Sequence, residues 1–390
     1  MPGQRPSAKR SWAEIELAAI ARNARKIRAR NPGRKLIAVV KADAYGHGAV
    51  PVARTLLAEG AAMIGVGDSR EAIEIRRSGI TGPVLILGAI VDGEMPAVVA
   101  HDIRTTLHSR SRALLLEQEA RRQGRRARVH LKIDTGMARL GMLPEKAVEV
   151  AKLVAASRHL EIEGIGTHLA SNDMENGTAI QRQLDLFRDV VKTVEDAIGP
   201  LAYVHAKNSV GAWHEKLVDD FTNTVRVGAA LYGLQMGPAT DLFPFEPAMS
   251  LFSQIIFLKD VPAGAPVGYN GRFVTSRPTR LAYLPIGYND GLPWSYGPQG
   301  SVLVRGEKAP IRGSISMDYT TVDVTDIPGT RVGDPVLLFG RSKEGTARIQ
   351  ELAEKAQTIS YAVACGVGKR VERVYVAAAA DESTAAAGRA

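Results

Sequence analysis

With a single cysteine, Cys365, the chain can close no intrachain disulfide and build no cysteine-based metal cluster. Histidines and carboxylates do not gather at ligand spacings either, so a metal centre is not expected. No apolar run approaches the roughly 18 residues that a transmembrane helix needs. Residues 1–10, Met1-Pro-Gly-Gln-Arg-Pro-Ser-Ala-Lys-Arg10, hold no hydrophobic stretch and read as a ragged, disordered basic tail, not a secretory signal. A cytoplasmic protein without a membrane partner is the expectation. No Gly-x-Gly-x-x-Gly fingerprint follows the first strand, which argues against a doubly wound dinucleotide fold.

What is present is ordinary globular material: 45% hydrophobic and 23% charged residues over 390, enough for two domains. The net charge of +9 is concentrated, because residues 1–35 hold ten Lys and Arg against Glu14 and Glu16. A second basic cluster, Arg121, Arg122, Arg125, Arg126 and Arg128, has no interleaved aromatics and reads as a solvated helix terminus. Nucleic-acid binding is therefore not expected.

Eight short apolar runs alternate with amphipathic stretches: Leu36–Lys41, Ala62–Gly67, Val84–Gly88, Ile103–Leu107, Val129–Ile133, Ile162–Leu169, Ala202–His205 and Thr224–Val227. Helical segments fall at Val50–Glu59, Glu71–Ser78, Arg110–Arg122, Glu145–Ser157 and Ala179–Ala197. Eight βα units in this span is the arithmetic of an α/β (β/α)8 barrel, predicted over residues 11–240. After Gly233 strand-like runs follow one another without helices: Leu251–Phe257, Leu281–Ile286, Ser301–Arg305, Thr320–Val324 and Pro335–Phe339. A mostly β C-terminal domain is predicted over 241–377, and residues 12–17 alternate like a strand that is a candidate to pair with it. Residues 378–390 read as a disordered tail.

Chemistry on such a barrel gathers at the carboxyl ends of the strands. Leu36-Ile-Ala-Val-Val40 reads as a strand buried on both faces that delivers Lys41 to the glycine-rich turn through Gly46 and Gly48. A buried ammonium must be paired or neutralised, which makes Lys41 a candidate Schiff-base lysine; a strand-end lysine whose head reaches solvent is the alternative. Other strand ends carry Lys132 and Asp134, His168, Asn208 and Ser209, and Arg226. This ring suits a phosphorylated aromatic aldehyde, with Lys41 on the aldehyde and Arg226 facing a ring heteroatom. Ser209 and the N–H groups near Gly228 lie in the loops that usually bind phosphate.

Several motifs now fall in order: Ala38-Val-Val-Lys-Ala-Asp-Ala-Tyr-Gly-His-Gly48, His130-Leu-Lys-Ile-Asp-Thr-Gly-Met-Ala-Arg139, Thr167-His168-Leu-Ala, His205-Ala-Lys-Asn-Ser209, Val225-Arg-Val-Gly-Ala-Ala-Leu-Tyr-Gly233 and Ser316-Met-Asp318. Together, from about residue 11 to residue 375, they resemble the alanine racemases. The resemblance implies pyridoxal 5′-phosphate on Lys41, with Tyr45, Asn208, Ser209, Gly228, Ala229 and Tyr361 around the phosphate. It implies His168 beside the ring and Arg226 at the pyridine nitrogen, held in turn by His205. An arginine there keeps its proton, so the ring nitrogen stays largely unprotonated and the electron sink is weakened.

The resemblance further implies two bases, Lys41 and a tyrosine from the partner subunit, matched by Tyr269 in Val267-Gly-Tyr269-Asn-Gly271. A homodimer with shared active sites follows. Arg139 and Met317 would meet the substrate carboxylate, Lys132 would be carbamylated to orient Arg139, and Asp318 would support Met317. At the entrance Asp173, Tyr288 and Ile359 match the family. Two arginines common there are replaced by Trp294 and Ser314, in Gly287-Tyr-Asn-Asp-Gly-Leu-Pro-Trp294 and Gly313-Ser314-Ile-Ser-Met-Asp318. Lost charge changes the gate, so the expected substrates are alanine first and serine second, with D-alanine for peptidoglycan as the implied biological role. A barrel decarboxylase using the same cofactor needs a reactive cysteine, whereas Cys365 reads as core. A cofactor carrier of the same barrel would lack the second domain.

Overall fold

The computed structural model describes residues 9–170, 177–213, 219–234 and 244–376. The tails predicted over 1–10 and 378–390 therefore fall largely outside the described residues. Lys9 and Arg10 are tied down: Lys9 Nζ pairs with Glu372 at 2.9 Å, and the Arg10 carbonyl accepts from Ser253 Oγ at 3.0 Å.

The chain divides into two compact units, one over Ile20–Glu246 and one formed by the segment ending at Ala19 together with the chain from Pro247 onward. The first strand, β1 (Ser11–Glu16), belongs to the second of these. The eight strands that follow are β2 (Lys35–Val39), β3 (Met63–Val66), β4 (Val84–Ile86), β5 (Arg104–Leu107), β6 (Ala127–Lys132), β7 (Leu160–Gly166), β8 (Tyr203–His205) and β9 (Thr224–Val227). They form a closed parallel barrel, sealed where Ile37 of β2 pairs with Arg226 of β9. Strands covered on both faces have no use for alternation, and β3 and β4 are buried at every position. Ile37, Met63 and Leu85 form one cluster of this core, with Leu87 and Tyr203 packed on it. Helix starts are specified locally: Asp68 and Ser109 accept the N–H groups of Glu71 and Arg112 to cap Ser69–Arg77 and Arg110–Arg122.

In the other unit the strands are β10 (Met249–Gln254), β11 (Phe257–Val261), β12 (Pro266–Val267), β13 (Phe273–Val274), β14 (Thr279–Leu284), β15 (Ser301–Val304), β16 (Glu307–Pro310), β17 (Thr320–Asp323), β18 (Pro335–Arg341), β19 (Thr346–Ala347) and β20 (Glu372–Val376). The main sheet runs β16-β15-β18-β10-β1-β20, with β19 on β18. Here β1 is antiparallel to β10 and parallel to β20, and Trp12 stacks on Phe252 at 5.3 Å. The run predicted as one strand over Leu251–Phe257 is broken. Ile255 is buried at the bend, and β11 leaves for the three-stranded sheet β11-β14-β17. Two short helices, Ile349–Lys355 and Ser360–Gly366, were not foreseen. Cys365, expected in the core, is exposed, because Ser360–Gly366 turns Ser360, Val363 and Ala364 inward and leaves position 365 on its outer face.

Several residues of the two basic clusters are paired within the chain. Arg22 and Lys26 meet Glu246, Arg25 meets Glu59, and Arg126 and Arg128 meet Glu161. A buried group stands behind the loop after β8. Asp219 accepts from Lys207 Nζ at 2.8 Å, Arg34 Nη1 at 3.1 Å and the Thr222 N–H at 2.8 Å. Burial alone would raise the Asp219 carboxyl, but Lys207 and Thr222 outweigh it and hold the carboxyl below its ordinary value. A depressed folded-state value means that this stabilisation is complete above the unfolded Asp range, near about 3.9, and is lost as pH falls through the folded value. Asp219→Asn leaves Lys207 buried without its counter-ion and is expected to cost about 3–5 kcal/mol, read by urea unfolding at pH 7. Equal midpoints for variant and parent would refute this.

Candidate active site

Lys41 follows the end of β2 and opens a turn in which Ala42, Asp43, Ala44 and Tyr45 all take left-handed backbone angles, with φ of 53–54°. For non-glycine residues that conformation costs about 1–2 kcal/mol apiece. Among the bonds that hold the turn are Ala44 N–H to the Val40 carbonyl at 2.8 Å, Gly46 N–H to Ala42 at 2.9 Å, Ala42 N–H to Glu71 Oε1 at 2.6 Å, and Ala49 N–H to Asp43 Oδ1 at 2.7 Å. The sequence suggested a buried amine, yet Lys41 is exposed. Because the strand stops at Val39, the reversed turn lifts Lys41 off the barrel wall.

Tyr45 and the loop after β9 form one cradle. Tyr45 packs on Tyr232 at 4.9 Å, and Tyr232 Oη donates to the Val39 carbonyl at 2.8 Å. Gly228 lies directly beneath the Tyr45 hydroxyl, where a Cβ would overlap Oη. Buried Ser209 accepts at Oγ from the Gly228 N–H at 3.1 Å and the Ala230 N–H at 3.5 Å, and neighbouring Ala229 is buried too. Asn208 accepts from the Gly211 N–H at 3.0 Å and so starts the short helix Ser209–Trp213. Two backbone donors and two hydroxyls thus meet around a point that only glycine leaves open.

Arg226 is buried inside the mouth. Its Nη1 donates to His205 Nδ1 at 2.7 Å, and its Nη2 to the Thr167 carbonyl at 2.8 Å and to His168 Nδ1 at 3.1 Å. A guanidinium has no acceptor, so both imidazoles present a bare Nδ1 to it. Burial, then the charges of Arg226, Lys132, Arg139 and Lys41, push His168 down to about 2 and keep it neutral. Burial also draws Arg226 from the usual arginine range to about 10, which still leaves it charged at neutral pH.

Lys132, the last residue of β6, is held far below the lysine range by burial and by its neighbours Arg226 and Arg139, with Asp134 opposing. Arg139 itself is exposed on a loop that Asp134 shapes. Asp134 Oδ1 accepts from Gly136 and Met137 at 2.9 Å and from Ala138 at 3.2 Å. Asp173 lies outside the described residues.

The remaining predicted residues belong to the β unit. Tyr269 is 74% exposed, on a turn where Gly268, Asn270 and Gly271 all have positive φ. Met317 and Tyr288 share one loop pair: the Tyr288 N–H donates to the Ser316 carbonyl at 3.0 Å and the Asn289 N–H to the Met317 carbonyl at 3.3 Å. A Cβ at Gly287 would overlap both carbonyls. Asp318 meets Arg370 at 2.8 Å, and Arg370 also meets buried Asp290 at 3.0 Å. Sequence reasoning missed Arg370, Asp290 and Glu71; the Gly287-Tyr-Asn-Asp turn was the available signal for Asp290. Trp294 is half exposed beneath the Arg272 guanidinium, 5.0 Å from its ring centre, Ser314 follows Gly313 on the same unit, and Ile359 is exposed just before Tyr361.

An exposed amine, a buried arginine with neutral histidines, and a glycine-floored set of donors at the C-terminal mouth of a (β/α)8 barrel define a barrel enzyme for an anionic ligand. The family profiles described as "Alanine racemase, N-terminal domain" and "Alanine racemase, C-terminal domain" match residues 15–236 and 248–375. The alanine racemase of Halothermothrix orenii is 37% identical over 375 residues, covering 94% of this chain and 96% of that protein. Among solved structures, the alanine racemase of Streptomyces lavendulae superposes with a TM-score of 0.89 at 33% identity, covering 96% of this chain and 98% of that one. That of Bartonella henselae, described with covalently bound pyridoxal phosphate, superposes at 0.81 and 28% identity over 94% and 99%. The chain belongs to the alanine racemase family, and it is an enzyme of the isomerase class.

Proposed function

We propose that this protein interconverts L- and D-alanine with pyridoxal 5′-phosphate at the barrel mouth, using Lys41 and Tyr269 as bases on opposite faces of the substrate α-carbon. What carries this reading is the meeting, at one mouth, of the Lys41 amine, the Arg226–His168 pair and the cradle of Tyr45, Ser209 and Gly228. The donor set fits the group. Ser209 and the Gly228 and Ala230 N–H groups suit a phosphate, and an added Cβ at Gly228 would fill the space beside Tyr45 Oη. Asn208, Ala229 and, by family resemblance, Tyr361 complete this end.

Pyridoxal phosphate supplies an electron sink for the charge left when the α-proton departs. Arg226 would serve the ring nitrogen as a donor that keeps its own proton, and His168 would border the ring. Lys41 Nζ would hold the cofactor and, once the substrate amine has displaced it, would be free to exchange a proton at one face of the α-carbon; Tyr269 Oη of the partner subunit would serve the other face. The family resemblance assigns Arg139 and Met317 to the substrate carboxylate; within the β unit, Asp318, next to Met317, is held by Arg370. The depressed Lys132 amine is the form that takes up carbon dioxide, releasing a proton, and the resulting anionic carbamate relieves the repulsion among Lys132, Arg226 and Arg139.

A homodimer, a cytoplasmic location and supply of D-alanine for peptidoglycan complete this reading. Among the described residues no helix is long and apolar enough to cross a membrane. Trp294, Ser314, Tyr288, Ile359 and Asp173 are assigned to the entrance. Polarimetry of L-alanine and L-serine solutions with protein and cofactor tests the proposal. Rotation is expected to decay to zero for both, faster for alanine. Constant rotation in both would refute it, and a faster loss for serine would overturn the substrate order.

A further inference from the structure

Barrel interiors are ordinarily filled by branched apolar side chains. Beneath Arg226 this one is not. His205, 2% exposed, presents Nε2 to His130 Nδ1 at 2.8 Å; His130 is fully buried, and its Nε2 faces Glu163 Oε2 across 3.6 Å. Glu163 is gripped from the far end by Arg104, through Nε at 3.0 Å and Nη2 at 3.3 Å. Space for the imidazoles is made by two glycines of β7. A Cβ at Gly166 would overlap the His205 ring, and one at Gly164 would come within 2.9 Å of His130 Cε1 and 2.6 Å of the Tyr203 carbonyl.

The chain of donors has one direction. Arg226 can only donate, so His205 Nδ1 is bare and its Nε2 carries the proton. That proton points at His130 Nδ1, which must then be bare, and the His130 proton sits on Nε2, which makes no hydrogen bond and faces the carboxylate electrostatically across 3.6 Å. Reversing His130 would reverse His205 and set an N–H against the Arg226 N–H only 2.7 Å away. Two buried imidazoles and a half-buried carboxylate, given room by two core glycines, add little stability over apolar packing. They do define one orientation for one guanidinium, as carboxylate–histidine pairs do for metal ligands.

We propose that His130 and Glu163 are positioning residues: through the column Arg226–His205–His130–Glu163 they lock the His205 tautomer and hold Arg226 in the single pose it presents to the cofactor. This rests on the reading of Arg226 given above. The test compares His130→Phe, Glu163→Gln and the double variant with the parent protein, each loaded with pyridoxal phosphate. Cofactor dissociation constants and the absorption spectrum of the bound cofactor are measured beside kcat and KM for alanine.

The expected result is a kcat reduced about 10- to 100-fold with KM within about twofold, a changed cofactor spectrum, and a double variant no worse than His130→Phe alone. Parental spectra and parental turnover per bound cofactor, whatever the melting temperature, would overturn the proposal. Independent, multiplying losses in the double variant would overturn it as well. Should His130→Phe not fold, the spectrum and turnover of Glu163→Gln decide by the same criteria. A parent protein that binds no cofactor would instead remove the underlying reading of the mouth.

Discussion

Replacing Lys41 by alanine is expected to abolish racemisation, lowering kcat by about 10⁴-fold or more, at the upper end of what one base contributes, because cofactor attachment is lost with it. The left-handed turn explains why neighbouring amines cannot substitute. Lys132, the other mouth lysine, is the last residue of β6 and is held beside Arg226 and Arg139, not projected on a turn of its own. Borohydride reduction followed by peptide mass spectrometry should find the cofactor on the Lys41 peptide of the parent protein and on no peptide of the variant. A Lys41→Ala protein racemising at the parental rate would remove the amine from the mechanism.

Tyr269→Phe should slow turnover by about 10²- to 10⁴-fold, the contribution of a single general acid or base. Its signature is asymmetric: in D2O, exchange of the α-proton should survive from one enantiomer and fail from the other. Because the two bases are assigned to different subunits, mixing inactive Lys41→Ala and Tyr269→Phe chains supplies a second check. In a two-fold dimer, half of the random pairs are mixed and each holds one complete site, so about a quarter of parental activity should return. No recovery after verified subunit exchange would place both bases in one chain. Near-parental exchange from both enantiomers would remove Tyr269.

The barrel was legible because parallel strands covered on both faces leave unbroken apolar runs, and because their carboxyl ends carry Lys41, Lys132, His168 and Arg226, a pattern with no purpose in a plain core. Strand β11 was not. It is mostly exposed and pairs through its backbone, so Phe257 merged with the run before it. The exposure of Lys41 was misread because four left-handed alanine, aspartate and tyrosine residues leave no glycine signature of their own. His130 stood inside a recognised motif, but a residue pointing into a barrel is indistinguishable from one pointing out until the ring closes. Gly164 and Gly166, two residues apart in a strand where bulk is the rule, were the overlooked signal.

The position of β1 between β10 and β20 sets an order of assembly. The chain's first strand finds one neighbour only after residue 249 and the other only at residues 372–376, with the whole barrel synthesised in between. On the ribosome the barrel is complete while β1 still presents two open edges, a hazard for pairing with other nascent chains. The C-terminal strand therefore acts as a clasp: the second edge of β1 can be covered only once residues 372–376 have left the ribosome, after every strand of the barrel has been made.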